Sequence, residues 1–384
     1  MLITLIKGLS EQNVDTLLFN YKDGLVAEEL KKSGIDIPIA DLEELDWDKI
    51  DQLIDKNDVF IITSFLEIFH HFFSVNPRLV YYDINDFIGD ISKYKWGINP
   101  RRLAKKLVER LIEERSLVCM DDTGIVNVQR NFGLNIENPK FLPIPVIVPE
   151  ENVFLTREID AKVIRLSYIG RSVSWKINPL KKIIDDLHSI ADAIQKRIVF
   201  SIVVDSISEL QKSIDFQEYK GKSFCDFVIY EKIKPSEIIG FLLENSDINF
   251  GMGTTALDSG KLGIPTILMD YSSKEFPASY RYKWLYNTRY YSLGRNIERE
   301  YVPNIESFDM VTLMRGVQEK DFIESQSILT YEYVKSNHSV KGIVKQLQQH
   351  ALEARFRFQI AKPYILYYSK FHSWIRKMKR AIQE

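Results

Sequence analysis

The segment from Asp247 to Asp270, DINFGMGTTALDSGKLGIPTILMD, constrains this chain more than any other. An apolar strand-like run breaks at Gly251-Met252-Gly253-Thr254-Thr255, continues as a short helix-like stretch, and turns at Gly263-Ile264-Pro265 into a second apolar run. Strand, turn, helix and strand in so short a stretch belong to an α/β domain. A glycine-rich turn at a helix start leaves backbone N–H groups without internal partners where the helix dipole is positive, which suits an anion. Gly251 and Gly253 begin a G-x-G-x-x-G-like pattern whose last position is Ala256. Alone, the same pattern also describes an ordinary tight turn.

A second element lies upstream, Ile164 to Lys176, IRLSYIGRSVSWK. A strand-like run ends at Gly170, and Arg171 and Lys176 follow within one expected loop. In a doubly wound sheet, ligands sit beyond the carboxyl ends of the strands, so cations placed there point at the crevice. Arg offers phosphate a planar fork, Lys a compact charge, and each charge-assisted bond is worth about 1.5–3 kcal/mol. A solvated basic turn would look the same in isolation. The two motifs in this order, separated by another strand–helix unit, suggest a diphosphate site.

Together, GRSVSWK and SDINFGMGTTALDSGKLGIPTI resemble the C-terminal half of GT-B glycosyltransferases of the retaining group 4 type. The resemblance spans about 160 to 340, on G-R-x4-K after a strand and an acidic residue shortly before a closing G-x-P. It implies two Rossmann-like domains facing a central cleft, with a C-terminal helical segment. It implies that Arg171 and Lys176 hold a donor diphosphate beside Gly170, Gly251, Gly253, Thr254 and Thr255, and that Asp258 binds the donor ribose. Where the family has an earlier Glu that touches the donor sugar, this chain has Phe250; where it usually has Glu, this chain has Asp258.

Composition fits such a fold. With 384 residues, 45% of them hydrophobic, the chain is long enough for two domains. Lys plus Arg number 51 against 53 acidic residues, which argues against a nucleic-acid binder. Cys119 and Cys225 have no framework and read as buried free thiols of a reducing, cytoplasmic compartment. No Cys/His spacing and no Asp-x-Asp in strand context suggests a metal, and no cofactor is expected beyond the nucleotide sugar as substrate. No signal peptide and no run of about 18 apolar residues is expected to target or anchor the chain.

Strand and helix candidates alternate, which favours parallel sheets covered on both faces. In the first half the strands are Thr16–Phe19, Val59–Thr63, Leu79–Ile84 and Leu117–Met120, with a helix Leu25–Ser33 closed by Gly34. In the second half they are Val163–Tyr168, Ile198–Val204, Phe227–Tyr230, Ile248–Phe250 and Thr266–Met269. Helices are expected over Pro179–Gln195, Ser236–Glu244 and Thr255–Leu262, and Phe308–Ala361 reads as helical throughout. The proline-rich stretch Asn138–Pro149 reads as a link. These readings give a Rossmann-like acceptor domain over 1–148, a donor-binding domain over 149–310, and C-terminal helices over 311–384 that would pack back on the first domain.

At the N-terminus, Leu2–Ile6 can be a strand opening a loop at Lys7-Gly8. Alternatively Leu2, Leu5, Ile6 and Leu9 share one face of a helix, which is preferred because only about six residues separate Leu9 from the next strand. The helical reading would leave the family's first strand missing. Asp86 follows a strand in Asp83-Ile84-Asn85-Asp86, where the family often places His-Asp. It could orient an acceptor hydroxyl, though an Asx turn or helix cap is the more ordinary role of such a residue. His70-His71 among phenylalanines read as packed or surface residues, and Arg101, Arg102, Lys105 and Lys106 as a solvated basic face. Tyr364, Tyr367, Tyr368, Trp374 and their neighbours interleave with basic residues; 361–384 holds six basic residues against one acidic. Such a segment suits peripheral contact through 364–380 with an anionic bilayer, at the inner face of the membrane, or burial against the first domain.

The expected function is transfer of a sugar from a nucleotide-diphosphate sugar to a carbohydrate or lipid-linked glycan in surface polysaccharide synthesis. Arg171 and Lys176 would stabilise the departing diphosphate, and the resemblance implies a retaining course with front-face attack. The alternatives are a non-catalytic relative that binds nucleotide or glycan, and a sugar-nucleotide epimerase. The epimerase would need several converging acid/base residues, and only Asp86 and Asp258 are candidates.

Overall fold

The computed structural model describes residues 1–20, 23–41, 52, 54–63, 76–84, 100–191, 196–219, 225–298 and 306–357. The chain divides into two compact units, Met1–Pro145 with Val340–Glu384, and Val146–Ser339. The proline-rich link is therefore split at Pro145.

The first unit opens with a helix, α1 (Leu2–Glu11), which buries Leu5, Ile6 and Leu9, so residues 2–6 are not a strand. β1 (Leu18–Asn20) and β2 (Ile39–Asp41) pair in parallel on either side of α2 (Leu25–Lys32). β3 (Val59–Ile62), β4 (Arg78–Asp83) and β5 (Leu117–Cys119) form a parallel sheet with β4 in the middle. Leu79–Asp83 are all buried, as a central parallel strand covered on both faces requires. α3 (Pro100–Glu113) precedes β5, and α4 (Asp122–Phe132) follows it, capped by the Asp121 side chain on the Thr123 N–H. After the second unit the chain returns as α11 (Val340–Glu353), which packs on α1 at Gly8. There a Cβ would come within 2.4 Å of Val340 Cγ2.

The second unit holds β6 (Val163–Ile169), β7 (Arg197–Val204), β8 (Cys225–Glu231), β9 (Ile248–Gly251), β10 (Thr266–Leu268) and β11 (Lys283–Trp284). Their spatial order is β11-β10-β9-β6-β7-β8, parallel except for β11. From β6 the chain winds outward through β7 and β8, then returns to the other side of β6 as β9. The winding direction reverses between β6 and β9, the switch point where doubly wound sheets bind ligands. Tyr168 pairs with Phe250 across that junction. α5 (Ser174–Ser189), α6 (Ile207–Ser213), α7 (Ile238–Asn245) and α8 (Thr254–Gly260) connect the strands. On α5, Ile177, Leu180, Ile183, Ile184 and Leu187 form one buried stripe at helical spacing.

Three expectations are corrected. The helix expected from Pro179 begins at Ser174, with Pro179 inside it, so Lys176 rides on the first helical turn and not in a loop. The expected unbroken helix over Phe308–Ala361 is three, α9 (Met310–Gly316), α10 (Lys320–His338) and α11. The helices from 311 onward are not one segment: α9 and α10 belong to the second unit, where Ile323 joins its core, and α11 belongs to the first. Among the described residues no helix is long and apolar enough to cross a membrane, and no group of His, Cys, Asp and Glu could hold a metal ion. Cys119 and Cys225 are unbridged, the first buried and the second half-buried.

Candidate functional site

The two motifs meet at the switch point. β6 runs out at Ile169 and Gly170, and the Tyr168 ring folds under the turn. Its phenol donates to the Lys176 carbonyl at 2.6 Å, tying the strand end to the first turn of α5. A Cβ on Gly170 would lie 2.7 Å from that ring, so the turn closes only over a glycine. The following residue pair is also fixed. Ser172 donates its N–H to Asp205 Oδ1 at 2.5 Å, and its hydroxyl donates to the Ser206 carbonyl at 2.7 Å while accepting the Ser206 N–H at 3.1 Å.

Arg171 is exposed and Lys176 half-buried, and both cations pack on Trp175, at 5.8 and 5.3 Å from its ring centroid. Neither forms an ion pair with a carboxylate of the described residues. Burial first, then the neighbouring Arg171, holds the Lys176 ammonium below the ordinary lysine range, with Asp205 opposing. Asp205 is itself held below the usual carboxylate range, chiefly by the Ser172 N–H. Trp175 meets the Tyr271 ring edge-on at 5.4 Å, and Asn178 donates to the carbonyls of Ser272 and Lys274 at 3.0 and 3.1 Å. The start of α5 is thus anchored to the segment after β10.

Beside it, β9 ends at Gly251 and α8 begins at Thr254. A Cβ on Gly251 would lie 2.8 Å from Ala256 Cα, so only glycine lets α8 start this close to its strand. Gly253 has φ 61° and ψ −138°, a conformation close to glycine-only, and nothing lies within 4 Å of its missing side chain. Its N–H donates to the Leu293 carbonyl at 2.8 Å. The Thr255 hydroxyl donates to the Met252 carbonyl at 2.9 Å, while Thr254 is exposed. Below α8, buried Asn249 accepts from Ser167 and donates to Ser259, each at 2.9 Å, locking helix to sheet. Asp258, on α8, is bound to Lys261 at 2.7 Å.

Gly170, Arg171, Lys176, Gly251, Gly253, Thr254 and Thr255 are thus brought to one edge of one sheet, with Asp258 a turn further along α8. Phe250 is wholly buried in β9, with the Phe200 and Tyr282 rings at 6.1 and 6.0 Å, so no side chain reaches the site from that position. Asp86, Asn85, His70, His71, the side chain of Arg101 and the segment 364–380 lie outside the described residues. At the end of β4 the described acid is Asp83, which is buried and packs at Gly124, where a Cβ would lie 2.7 Å from its Oδ2. Trp175, Ser172 and Asp205 were not singled out in the sequence. The W of GRSVSWK sits one residue before Lys176, but nothing local pairs Ser172 with a residue 33 positions on.

No family model matches the chain, and no curated protein matches it. Solved structures do. A glycosyltransferase from Rickettsia africae ESF-5 superposes with a TM-score of 0.55 at 11% identity, covering 91% of this chain and 93% of that one. The lipopolysaccharide outer core galactosyltransferase WaaB superposes at 0.51, also at 11% identity, covering 91% and 94%. What is shared at such identity is the fold: the chain has a GT-B architecture of two Rossmann-like domains, and these two structural neighbours are glycosyltransferases.

Proposed function

We propose that the protein is a glycosyltransferase that moves a sugar from a nucleotide-diphosphate donor to a carbohydrate or lipid-linked glycan acceptor, in the manner of retaining group 4 enzymes of surface polysaccharide synthesis. One observation carries the reading. At the switch point of the second unit, Arg171 and Lys176 are held on Trp175 without a carboxylate partner among the described residues, beside the open backbone of Gly253. Two unneutralised cations fixed over an aromatic ring suit a diphosphate, whose growing charge as the sugar departs they would stabilise. In this reading the leaving phosphate takes the acceptor proton on the retained face, so no protein nucleophile is needed. Asp258 would meet the donor ribose after parting from Lys261, and Asp86 would orient the acceptor hydroxyl. The basic aromatic segment 364–380 would hold the enzyme at a membrane surface where a lipid-linked acceptor resides.

The buried Phe250 and the Asp258–Lys261 pair favour a second reading, a non-catalytic relative that retains nucleotide binding. Calorimetric titration of UDP, GDP and their sugar conjugates into wild type and Arg171→Ala/Lys176→Ala tests the site. The transferase reading expects micromolar binding of one nucleotide, abolished in the double variant, and hydrolysis or transfer of the matching sugar conjugate. Binding without turnover favours the second reading, and no binding overturns both.

A further inference from the structure

We infer that Asp205 is a positioning residue of the candidate diphosphate site, which latches the loop carrying Arg171 while its negative charge weakens the hold of that loop on an anion. The inference rests on the diphosphate reading given above. β6 and β7 pair in parallel with Ile169 opposite Val203, and this register carries Arg171 and Asp205 to the same sheet edge. The residue directly after Arg171 is then tied by three hydrogen bonds to the connection after β7: Ser172 N–H to Asp205 Oδ1, Ser172 hydroxyl to the Ser206 carbonyl, and Ser206 N–H to the Ser172 hydroxyl oxygen. Asp205 acts on the backbone here. It forms no ion pair with Arg171 or Lys176 within 4.0 Å, so it restrains the loop and leaves both cations available.

The carboxylate is exposed, yet its field reaches both cations. An anion bound to them must therefore share the site with a fixed negative charge. A free nucleoside diphosphate carries one more negative charge than its sugar conjugate at neutral pH, so Asp205 disfavours the product more than the substrate. At a separation of about 8 Å through surroundings dominated by water, one extra charge is worth about a factor of two to three, and salt diminishes it. Asp205 would thereby aid product release as well as loop order.

Two substitutions separate the functions. Asp205→Asn keeps an oxygen that accepts the Ser172 N–H and removes the charge, whereas Asp205→Ala removes both. Pyrophosphate, UDP, GDP and their sugar conjugates are titrated calorimetrically into wild type and each variant, at low and at physiological salt. D205N is expected to bind the free nucleoside diphosphate, with about three negative charges, about tenfold more tightly at low salt, and the sugar conjugate, with about two, about fivefold more tightly. The gain should be larger for the free diphosphate than for the sugar conjugate, and should shrink as salt is added. D205A is expected to bind about fivefold more weakly than D205N, the effect of losing a neutral hydrogen bond of about 1 kcal/mol that orders the loop. D205N that binds no more tightly than wild type, or D205A that matches D205N, overturns the inference while leaving the diphosphate site standing. A wild type that binds none of these probes overturns the diphosphate reading and this inference with it.

Discussion

The two loops that flank the switch point of the second unit carry charge in opposite ways. After β6, Arg171 and Lys176 lie on an aromatic ring with no acidic partner among the described residues. After β9, the first charged side chain is Asp258, already bound to Lys261, and the position where the family resemblance expects a carboxylate is a core phenylalanine. In the proposed site, anion affinity would therefore reside in the first loop, with the second contributing glycine geometry. A site built this way would hold a diphosphate through one side and shape itself around it with the other.

The largest expected effect is loss of the first loop's charge. Arg171→Ala/Lys176→Ala should weaken nucleotide-diphosphate binding about a hundredfold or more, from two charge-assisted interactions at about 1.5–3 kcal/mol each, with little change in the unfolding midpoint. A double variant that binds normally would move the anion site elsewhere. Next is Phe250→Glu, which asks whether the second loop can accept a charge. With the ring fully buried, it should cost about 3–5 kcal/mol in urea denaturation. Near wild-type stability would show that the position opens onto the site.

Gly253→Ala places a Cβ at a φ and ψ that only glycine adopts easily, and should cost about 1–3 kcal/mol of stability, read by the same denaturation. Lys261→Ala frees Asp258 from a partly exposed pair and should cost no more than about 1 kcal/mol. If Asp258 then meets the ribose, UDP or GDP should bind slightly more tightly and pyrophosphate unchanged; an equal change in both would place Asp258 off the nucleoside. The smallest effect is in pH. Because the free site holds Lys176 below the ordinary value of 10.5, a bound anion should draw a proton back onto it. Affinity should fall as pH rises toward the lysine range, and binding at about pH 9 should take up protons, seen as a heat that depends on the buffer.

Much of the second unit was legible in the sequence because its strands are buried on both faces and read as continuous apolar runs, as in Ile198–Val204 and Ile248–Phe250. β11 was not, since two residues, Lys283 and Trp284, carry no pattern of their own and pair only because β10 is already in place. The start of α5 was hidden by Pro179, which marks a helix start in most sequences; here the helix runs one and a half turns before it. Arg171, Lys176 and the glycines of the second loop could be read from local spacing. Asp205 beside the cations depends on strand order, which local spacing does not contain. Trp175, four residues after Arg171 and one before Lys176, lies within local spacing but has no pattern that marks it as a platform for them. In the first unit the helical pattern of Leu5, Ile6 and Leu9 was visible, but its partner, α11, was not.

That pairing has a consequence for synthesis. α1 is made at the start of the chain, yet Gly8 packs against Val340 and Val344, and Gln12 reaches the Lys341 carbonyl 329 residues on. The second unit is one uninterrupted stretch, whereas the first closes only with residues that leave the ribosome after it. The second unit can thus fold while the chain is still growing, and the α1 face waits uncovered until α11 arrives. A growing chain that has emerged from the ribosome as far as Ser339 would carry a complete second unit and an unfinished first.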